Sequence, residues 1–496
     1  MKPKIRRVLL IDPKGFGAGL NLGLGYLAAV LLKNNYQVRV VDYNNLPARL
    51  SKGVRFNFGS SKGSDWRKKI DRALKWQPQV IGISINGFTL AEALEIVGYC
   101  KNKADRQIVY LAGGPHINMF KKSFMERYGY FFDFAFTGEG EEAVVDFLEN
   151  LDDPKKVKGI IYYDSDKNQL IQTEERPLIA DLDSLPFPNF EVFDTVNAQS
   201  GLFNYPMMSS RGCPYGCVFC FKMWGRRWRA RSPENVLAEV KFAKKKYRLQ
   251  TLTFWDDNFT LDLSRAKKIC DLFISENLNL RYSLAGLRAD RVDEELIRKL
   301  KESGCTNISM GIEDGDPKTF PFVGKGETLE EIKRAVKLIK KYEIPLITYM
   351  VTGLIGHSYR SFLRSLRFIE KLGVTAHWSV AFPFPGTPLF DWARKSGRFL
   401  MTLEEGFKQC MTSKNPPVVF DTLEYPAEKR LRAYYLGNLR SRSYDLLIGS
   451  RRGNFLGQVS DILEIIWRYD RKKTWWHFSN LLKLFLKSVG HFGCIK

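Results

Sequence analysis

Cys213, Cys217 and Cys220 lie within the run Ser209-Ser-Arg-Gly-Cys213-Pro-Tyr-Gly-Cys217-Val-Phe-Cys220. A Cys-x3-Cys-x2-Cys spacing presents three thiolates from one tight loop, and the proline and glycines inside it let the backbone curl around a bound group. Iron–sulfur cubanes take thiolate ligands, normally one at each iron. Three from one loop, with no fourth cysteine close behind, leave one iron open to another ligand. Zinc is the rival reading, but zinc wants a fourth Cys or His at short spacing, and the nearest histidine upstream is His116. The other cysteines, at 100, 270, 305, 410 and 494, are scattered singly and read as small buried hydrophobes.

The elements that must position this loop follow from hydrophobic periodicity. Over 1–150, short β-branched runs at Arg7–Asp12, Gln37–Asp42, Val80–Ile85, Ile108–Ala112 and Phe132–Phe136 alternate with helical patterns at Leu22–Lys33, Ser64–Trp76, Leu90–Lys103 and Glu141–Glu149. That alternation predicts an α/β fold with a doubly wound parallel sheet, and a polar inserted loop over 45–65. Residues 151–200 read as a connector, with a hairpin around Gly159–Gln172 and the proline-punctuated Leu185-Pro-Phe-Pro-Asn189.

Over 201–395 the alternation returns. Strands are expected at Met207–Ser209, Leu252–Trp255, Tyr282–Ala285, Asn307–Met310, Ile347–Thr352 and Trp378–Phe382. Helices are expected at Pro233–Lys246, Leu263–Glu276, Glu294–Glu302, Leu329–Tyr342 and Tyr359–Leu372. Such a series predicts a partial (β/α)6 barrel with its chemistry at the C-terminal strand ends, where the cysteine loop follows the first strand. Over 396–496 strand signals fade. Asp461–Arg468 and Trp475–Val489 are apolar stripes among Lys and Arg, which predicts a mainly helical, basic region.

The 496 residues exceed one ordinary core, and 44% hydrophobic with 26% charged residues is a folded, non-disordered composition. The opening Met1–Arg7 leads into a short apolar run and a Pro-Lys-Gly turn, unlike a secretory signal, and Leu20–Leu32 is too short and glycine-broken to span a bilayer. The expected location is the cytoplasm. A formal charge of +23 attracts polyanions, whether nucleic acid, anionic lipid or a phosphorylated substrate; a lysine-rich, heat-adapted surface is the plainer account.

The cysteine run resembles the signature of the radical S-adenosylmethionine superfamily, and other segments agree in order and placement. Phe219 stands where the family has an aromatic before its third cysteine, implying that it packs on the adenine of S-adenosylmethionine. Asn307-Ile-Ser-Met-Gly311-Ile-Glu313 resembles the family's fourth-strand motif, which makes Gly311 and Glu313 candidates for contacts to the cofactor's amino and ribose groups. Arg288 ends the third strand, where its fork suits the cofactor carboxylate. Gly353-Leu-Ile-Gly356-His resembles the fifth-strand turn beside adenine, with Ile355 and His357 where the family often has proline and an acid. Trp255-Asp-Asp-Asn-Phe259 and Phe382-Pro-Phe-Pro-Gly-Thr-Pro388 also match family segments; Asp256 and Asp257 read equally as cofactor-site or structural residues.

A doubly wound sheet ahead of such a barrel resembles the cobalamin-binding branch, which includes class B methyltransferases and anaerobic magnesium-protoporphyrin ester cyclases. Asp12-Pro-Lys14-Gly-Phe-Gly17 follows the first strand, with lysine where a cobalt-ligating histidine would stand. Ser84-Ile-Asn86 precedes Gly113-Gly114 by 26 residues, a spacing that fits, and Thr137-Gly-Glu139-Gly-Glu141 resembles a later turn of the branch. Asp12, Ser84, Gly113 and Gly114 are therefore candidates for holding cobalamin. The alternative is a Rossmann-like domain that binds no corrin.

The resemblance implies three cofactors: a [4Fe–4S] cluster on the cysteines, S-adenosylmethionine and cobalamin. It implies a 5′-deoxyadenosyl radical and methylation of an unactivated carbon, with a flavodoxin or ferredoxin as electron donor. Ring closure or oxidation without methyl transfer is the second expectation, and nucleic-acid modification a third, disfavoured because Cys100 is the sole cysteine ahead of the motif. Trp224-Gly-Arg-Arg-Trp228-Arg-Ala-Arg231 reads equally as an anion clamp or a cover for the barrel mouth. Around Trp475–Val489 the aromatics, leucines and paired Lys483 and Lys487 suit a helix in a membrane interface or one packed on the barrel. With the charge, this points to peripheral membrane contact and a small-molecule substrate that is lipid-like, a tetrapyrrole or another secondary metabolite.

Overall fold

β-branched runs bounded by turn residues form the strands, and capped amphipathic segments form the helices between them. The computed structural model describes residues 5–15, 19–45, 66–104, 107–164, 167–196, 202, 204–413, 415–443, 455–474, 476, 477 and 479. The loop expected over 45–65 falls almost wholly outside them, as does most of Trp475–Val489.

The first sheet contains β1 (Arg7–Asp12), β2 (Gln37–Asp42), β3 (Val80–Ser84), β4 (Val109–Gly113), β5 (Phe134–Phe136), β6 (Ile160–Asp164) and β7 (Gln169–Gln172). Its order is β2-β1-β3-β4-β5-β6-β7, parallel through β5 and antiparallel thereafter. The parallel part reverses direction of growth at β1/β3, the switch point where doubly wound sheets bind ligands beyond their strand ends. The hairpin expected in the connector does more than connect, since β6 and β7 extend this sheet. Two short helices, Pro115–Phe120 and Lys122–Tyr128, follow β4 where no periodic signal marked them.

The second sheet is built from β8 (Asn204–Met207), β11 (Thr251–Phe254), β12 (Tyr282–Leu287), β13 (Cys305–Glu313), β14 (Leu346–Thr352) and β15 (Thr375–Val380). Its order, β15-β14-β13-β12-β11-β8, is parallel throughout and opens between β8 and β15, giving a partial barrel. The first strand starts earlier than the expected Met207–Ser209 because Pro206 lies inside it, which an edge strand tolerates. After β8 comes a two-strand ribbon, β9 (Ser210–Arg211) with β10 (Arg229–Ala230), which frames the cysteine loop.

The C-terminal region is mainly helical but carries one more ribbon, β16 (Arg398–Phe399) with β17 (Phe420–Asp421). Its helix Leu403–Thr412 reaches back to the first domain. There Phe407 lies against Phe88 and His116 and stacks on Phe382, with ring centroids 4.6 Å apart. A Cβ on Gly87 would meet the Phe407 ring at 2.3 Å, so this contact requires glycine. Glu404 of the same helix is ion-paired with Arg127. Among the described residues no helix is long and apolar enough to cross a membrane.

Candidate functional site

The cysteine loop is held from four sides. Asp256 accepts hydrogen bonds from the Ser209 amide at 3.1 Å and the Ser209 and Ser210 hydroxyls at 2.7 and 2.5 Å. Asp257 accepts the Gly212 amide at 3.0 Å. These two carboxylates therefore brace the loop. Gly212, at φ +88°, has no room for a Cβ, which would lie 2.0 Å from the Arg227 carbonyl oxygen. On the far side the Val218 amide donates to the Val323 carbonyl at 3.0 Å, and the Leu389 amide to the Val218 carbonyl at 2.9 Å.

Within this frame Cys213, Cys217 and Cys220 are half-buried and unbonded to one another. Burial pushes the Cys217 and Cys220 thiols up; the Lys325 and Lys222 charges oppose it at Cys217, and Lys222 at Cys220. A thiol held neutral by burial gives up its proton on metal ligation. Among the described residues no three metal-binding side chains close on a single ion. A cubane differs from zinc in taking each sulfur at a separate corner, so a half-buried three-thiol loop fits it. Phe219 packs at the edge of an apolar group containing Val323, Leu354 and Leu389.

Glu313 ends β13 with φ +70°, a left-handed conformation that a non-glycine residue rarely adopts. Burial pushes its carboxyl up to about 7, opposed by the Lys325 charge. Lys325 Nζ stands 4.0 Å from Glu313 and 3.2 Å from Glu327, and it donates to the Gly311 carbonyl. Gly311 makes this possible: a Cβ there would meet Glu313 Oε1 at 2.1 Å. Sequence reasoning missed Lys325, since a lone lysine between glycines carries no local signal.

Arg288 is held by protein partners. Its guanidinium lies 3.3 Å over the Tyr215 ring, donates to Asp290 at 2.9 Å and to the Lys325 carbonyl at 2.8 Å, and lies 3.5 Å from Glu327. It thus ties β12 to both the cysteine loop and the segment carrying Lys325. Gly353, at φ +93°, leaves room for the Arg430 guanidinium, which would lie 2.8 Å from a Cβ there. His357 Nε2 faces Asp314 at 3.3 Å.

The first sheet's C-terminal edge gathers the other predicted residues. Asn21 donates to Asp12 at 2.8 Å and to Ser84 at 3.3 Å, and Asn44 donates to Asp12 at 2.6 Å. Burial, then the Asp42 charge, raises the Asp12 carboxyl to about 7 against these two amides. Ser84 is in register with Gly113, and space over Gly113 is open where a Cβ would point. Gly114, at φ +109°, would place a Cβ 2.7 Å from the Ile85 carbonyl oxygen. The open space over Gly113, beside Ser84 at the strand ends, fits the nucleotide tail of a corrin. Lys14 neighbours the half-buried Glu92 carboxyl, which desolvation raises to about 7 against the lysine's charge.

His116 follows this edge, 2% exposed among Phe120, Phe124 and Phe407, with Nδ1 unpartnered. Burial lowers its pKa to about 4. Because the folded value lies below the unfolded 6.5, the neutral ring stabilises the fold above about pH 6.5, and that contribution, about 3 kcal/mol, is lost as pH falls toward 4. Denaturation at pH 7 and pH 5 checks this: His116→Phe should shrink the wild-type loss of stability between the two, and an equal loss in both proteins would refute the assignment.

One ionic cluster joins the two halves. Arg211, two residues before Cys213, donates to Glu139 at 2.7 Å and to Glu141 at 2.6 Å, and Arg229 donates to Glu139 at 2.8 Å. Glu139 is 1% exposed and Arg211 5%. Burial alone would raise the Glu139 carboxyl, but hydrogen bonds from Arg229 and the Arg211 charge bring it below its ordinary value.

Comparison with known proteins agrees with this geometry. The Radical SAM superfamily profile matches residues 207–369, and the B12 binding domain profile matches residues 14–148. An uncharacterized methyltransferase of Pyrococcus horikoshii is 29% identical over 79% of this chain and 83% of its own length. The cytidylyl-2-hydroxyethylphosphonate methyltransferase of Streptomyces wedmorensis is 26% identical over 80% of this chain and 84% of its own. The structure of TsrM, a radical S-adenosylmethionine methyltransferase from Kitasatospora setae with cobalamin and [4Fe-4S] cluster bound, superposes with a TM-score of 0.65 at 16% identity, covering 93% of this chain and 91% of that one. The chain belongs to the cobalamin-binding branch of the radical SAM superfamily, whose cofactors are a [4Fe–4S] cluster, S-adenosylmethionine and cobalamin.

Proposed function

We propose that this chain transfers a methyl group to an unactivated carbon of a small molecule that is lipid-like, a tetrapyrrole or another secondary metabolite. The observation that carries the reading is the Arg211 guanidinium, which ties the cysteine loop to the Glu139-Gly-Glu141 turn that follows β5 at the end of the first sheet. Radical methylation needs both reactive centres to face one substrate, and a shared buried anchor fixes such an arrangement. When bound, S-adenosylmethionine on the reduced cluster supplies the radical and the corrin supplies the methyl group.

The chain's own residues divide the remaining work. Asp256 and Asp257 keep the cysteine loop in one conformation. Leu252, Phe254, Tyr282, Leu284 and Ile308 pack outward into the core, so alternate positions Thr251, Thr253, Ser283 and Asn307 face the concave side. Thr253 bonds Asn204 and Ser283 there, at 3.1 and 2.9 Å, lining the barrel with amide and hydroxyl groups. Phe88, Phe382 and Phe384 stand half-buried around Phe407 where the two domains meet. An amphipathic substrate, polar toward the barrel and apolar toward this aromatic group, suits both walls. The charge of +23, and Trp467 exposed beneath Arg471 near the terminal segment, support delivery from an anionic surface. A flavodoxin or ferredoxin is the proposed electron donor.

Anaerobic turnover of holoprotein with candidate substrates tests this. S-adenosylhomocysteine and 5′-deoxyadenosine should both accumulate in a substrate-dependent manner, with a product heavier by one methylene. Substrate consumption with 5′-deoxyadenosine and no S-adenosylhomocysteine would replace methylation with oxidation or ring closure.

A further inference from the structure

We propose that Lys325 and Glu313 form a paired receptor for the zwitterionic amino-acid end of S-adenosylmethionine, with Lys325 rather than Arg288 receiving the carboxylate. The inference rests on the radical SAM reading above and assigns this chain's own residues within it.

Three observations carry it. First, the pair has opposite charges at a separation that suits an α-amino acid: Lys325 Nζ and Glu313 Oε1 are 4.0 Å apart, too far for a good mutual hydrogen bond. An ammonium can therefore be taken by Glu313 and its neighbouring carboxylate by Lys325 with both charge-assisted bonds made. Second, the pair stands beside the cysteine loop: Arg288, whose guanidinium lies 3.3 Å over the Tyr215 ring of that loop, donates to the Lys325 carbonyl at 2.8 Å. The strap bearing Lys325 is also fastened to the cysteine loop, because the Val218 amide bonds Val323 and a Cβ on Gly324 would come within 2.9 Å of the Gly216 carbonyl oxygen. Third, Arg288 is committed to Tyr215, Asp290 and the Lys325 carbonyl. Freeing its fork would unfasten the strap.

Glu327 completes the arrangement. At 3.2 Å it balances the Lys325 charge before ligand arrives, and its other oxygen accepts the Ala289 amide at 3.0 Å. A lysine 7% exposed in its side chain would be costly without such a partner. An incoming carboxylate shares this lysine rather than displacing a bonded arginine. Lys325 is thus a binding residue, and Arg288 a positioning residue that acts through it.

The experiment measures equilibrium binding to anaerobic holoprotein, comparing S-adenosylmethionine with its decarboxylated analogue, which keeps the amine and sulfonium. In Lys325→Met the wild-type preference for the carboxylated ligand should fall about tenfold, while iron and sulfide content stay full. In Glu313→Gln both ligands should weaken together, leaving the preference near its wild-type value. Should Lys325→Met lose its cluster, Lys325→Gln, which keeps a donor for the Gly311 carbonyl, gives the same reading. An unchanged preference in a lysine variant that binds S-adenosylmethionine overturns the assignment alone. A wild-type protein with a full cluster that binds neither ligand overturns it together with the radical SAM reading.

Discussion

Cys217→Ala, purified without oxygen, should fold normally yet hold no intact [4Fe–4S] cluster, and its cleavage of S-adenosylmethionine should fall by about a thousandfold or more. The loop supplies three thiolates for a group that needs all of them, so removing one leaves two irons without protein ligands. Three of the other cysteines are enclosed elsewhere in the core and cannot substitute. Cys270 and Cys305 are 0% and 5% exposed and belong to the core between strands and helices, with Cys270 Sγ 3.8 Å from the Tyr282 hydroxyl. Cys100 lies in the core of the first domain. Folding survives because the loop's braces, Asp256, Asp257 and the Val218 amide, do not involve the sulfur. Iron and sulfide assays, the absorption spectrum and 5′-deoxyadenosine formation read the result. A variant that keeps both the cluster and cleavage would end the three-cysteine assignment.

Glu139→Ala should cost about 3–5 kcal/mol of stability, the range for breaking a buried ion pair by removing one partner. The loss leaves the Arg211 and Arg229 guanidinium groups, 5% and 11% exposed in their side chains, with fewer acceptors between the two domains. Chemical denaturation of the holoprotein should show the fall with little salt dependence, because charges this buried are poorly screened. Replacing Glu139 and Arg211 together by apolar residues should cost much less than the two single changes added. Cobalamin and cluster retention should fall together in Glu139→Ala. Loss of one cofactor without the other would mean that the bridge does not couple the two sites.

Elements with strong local signals could be read from the residues alone. The helices Leu22–Lys33, Leu90–Lys103, Glu294–Glu302 and Tyr359–Leu372 have the expected bounds, and caps explain several of them: Asn21 accepts the Leu24 amide, Asp293 the Leu296 amide, and Ser358 and Ser361 form a reciprocal capping box. Gly373 closes the last of these in a left-handed conformation. The cysteine spacing and the Ser84 to Gly113 interval were equally local. What escaped was long-range. Arg211 and Glu139 are 72 positions apart, and nothing in a basic residue before the cysteine motif announces an acidic partner in another domain. Lys325 acquires its meaning from Glu313, Glu327 and the cysteine loop, which meet because β12 and β13 bring their ends together. Ribbon β16/β17 was missed because two-residue strands have no period to detect.

Phe407 finishes the first domain from the last quarter of the chain, wedged where Gly87 leaves no Cβ. During synthesis the leading sheet therefore emerges with this rim uncovered, and remains so until the whole barrel has been translated. An order of assembly, leading sheet first and its aromatic cover last, is thereby written into where a single ring stands along the polypeptide.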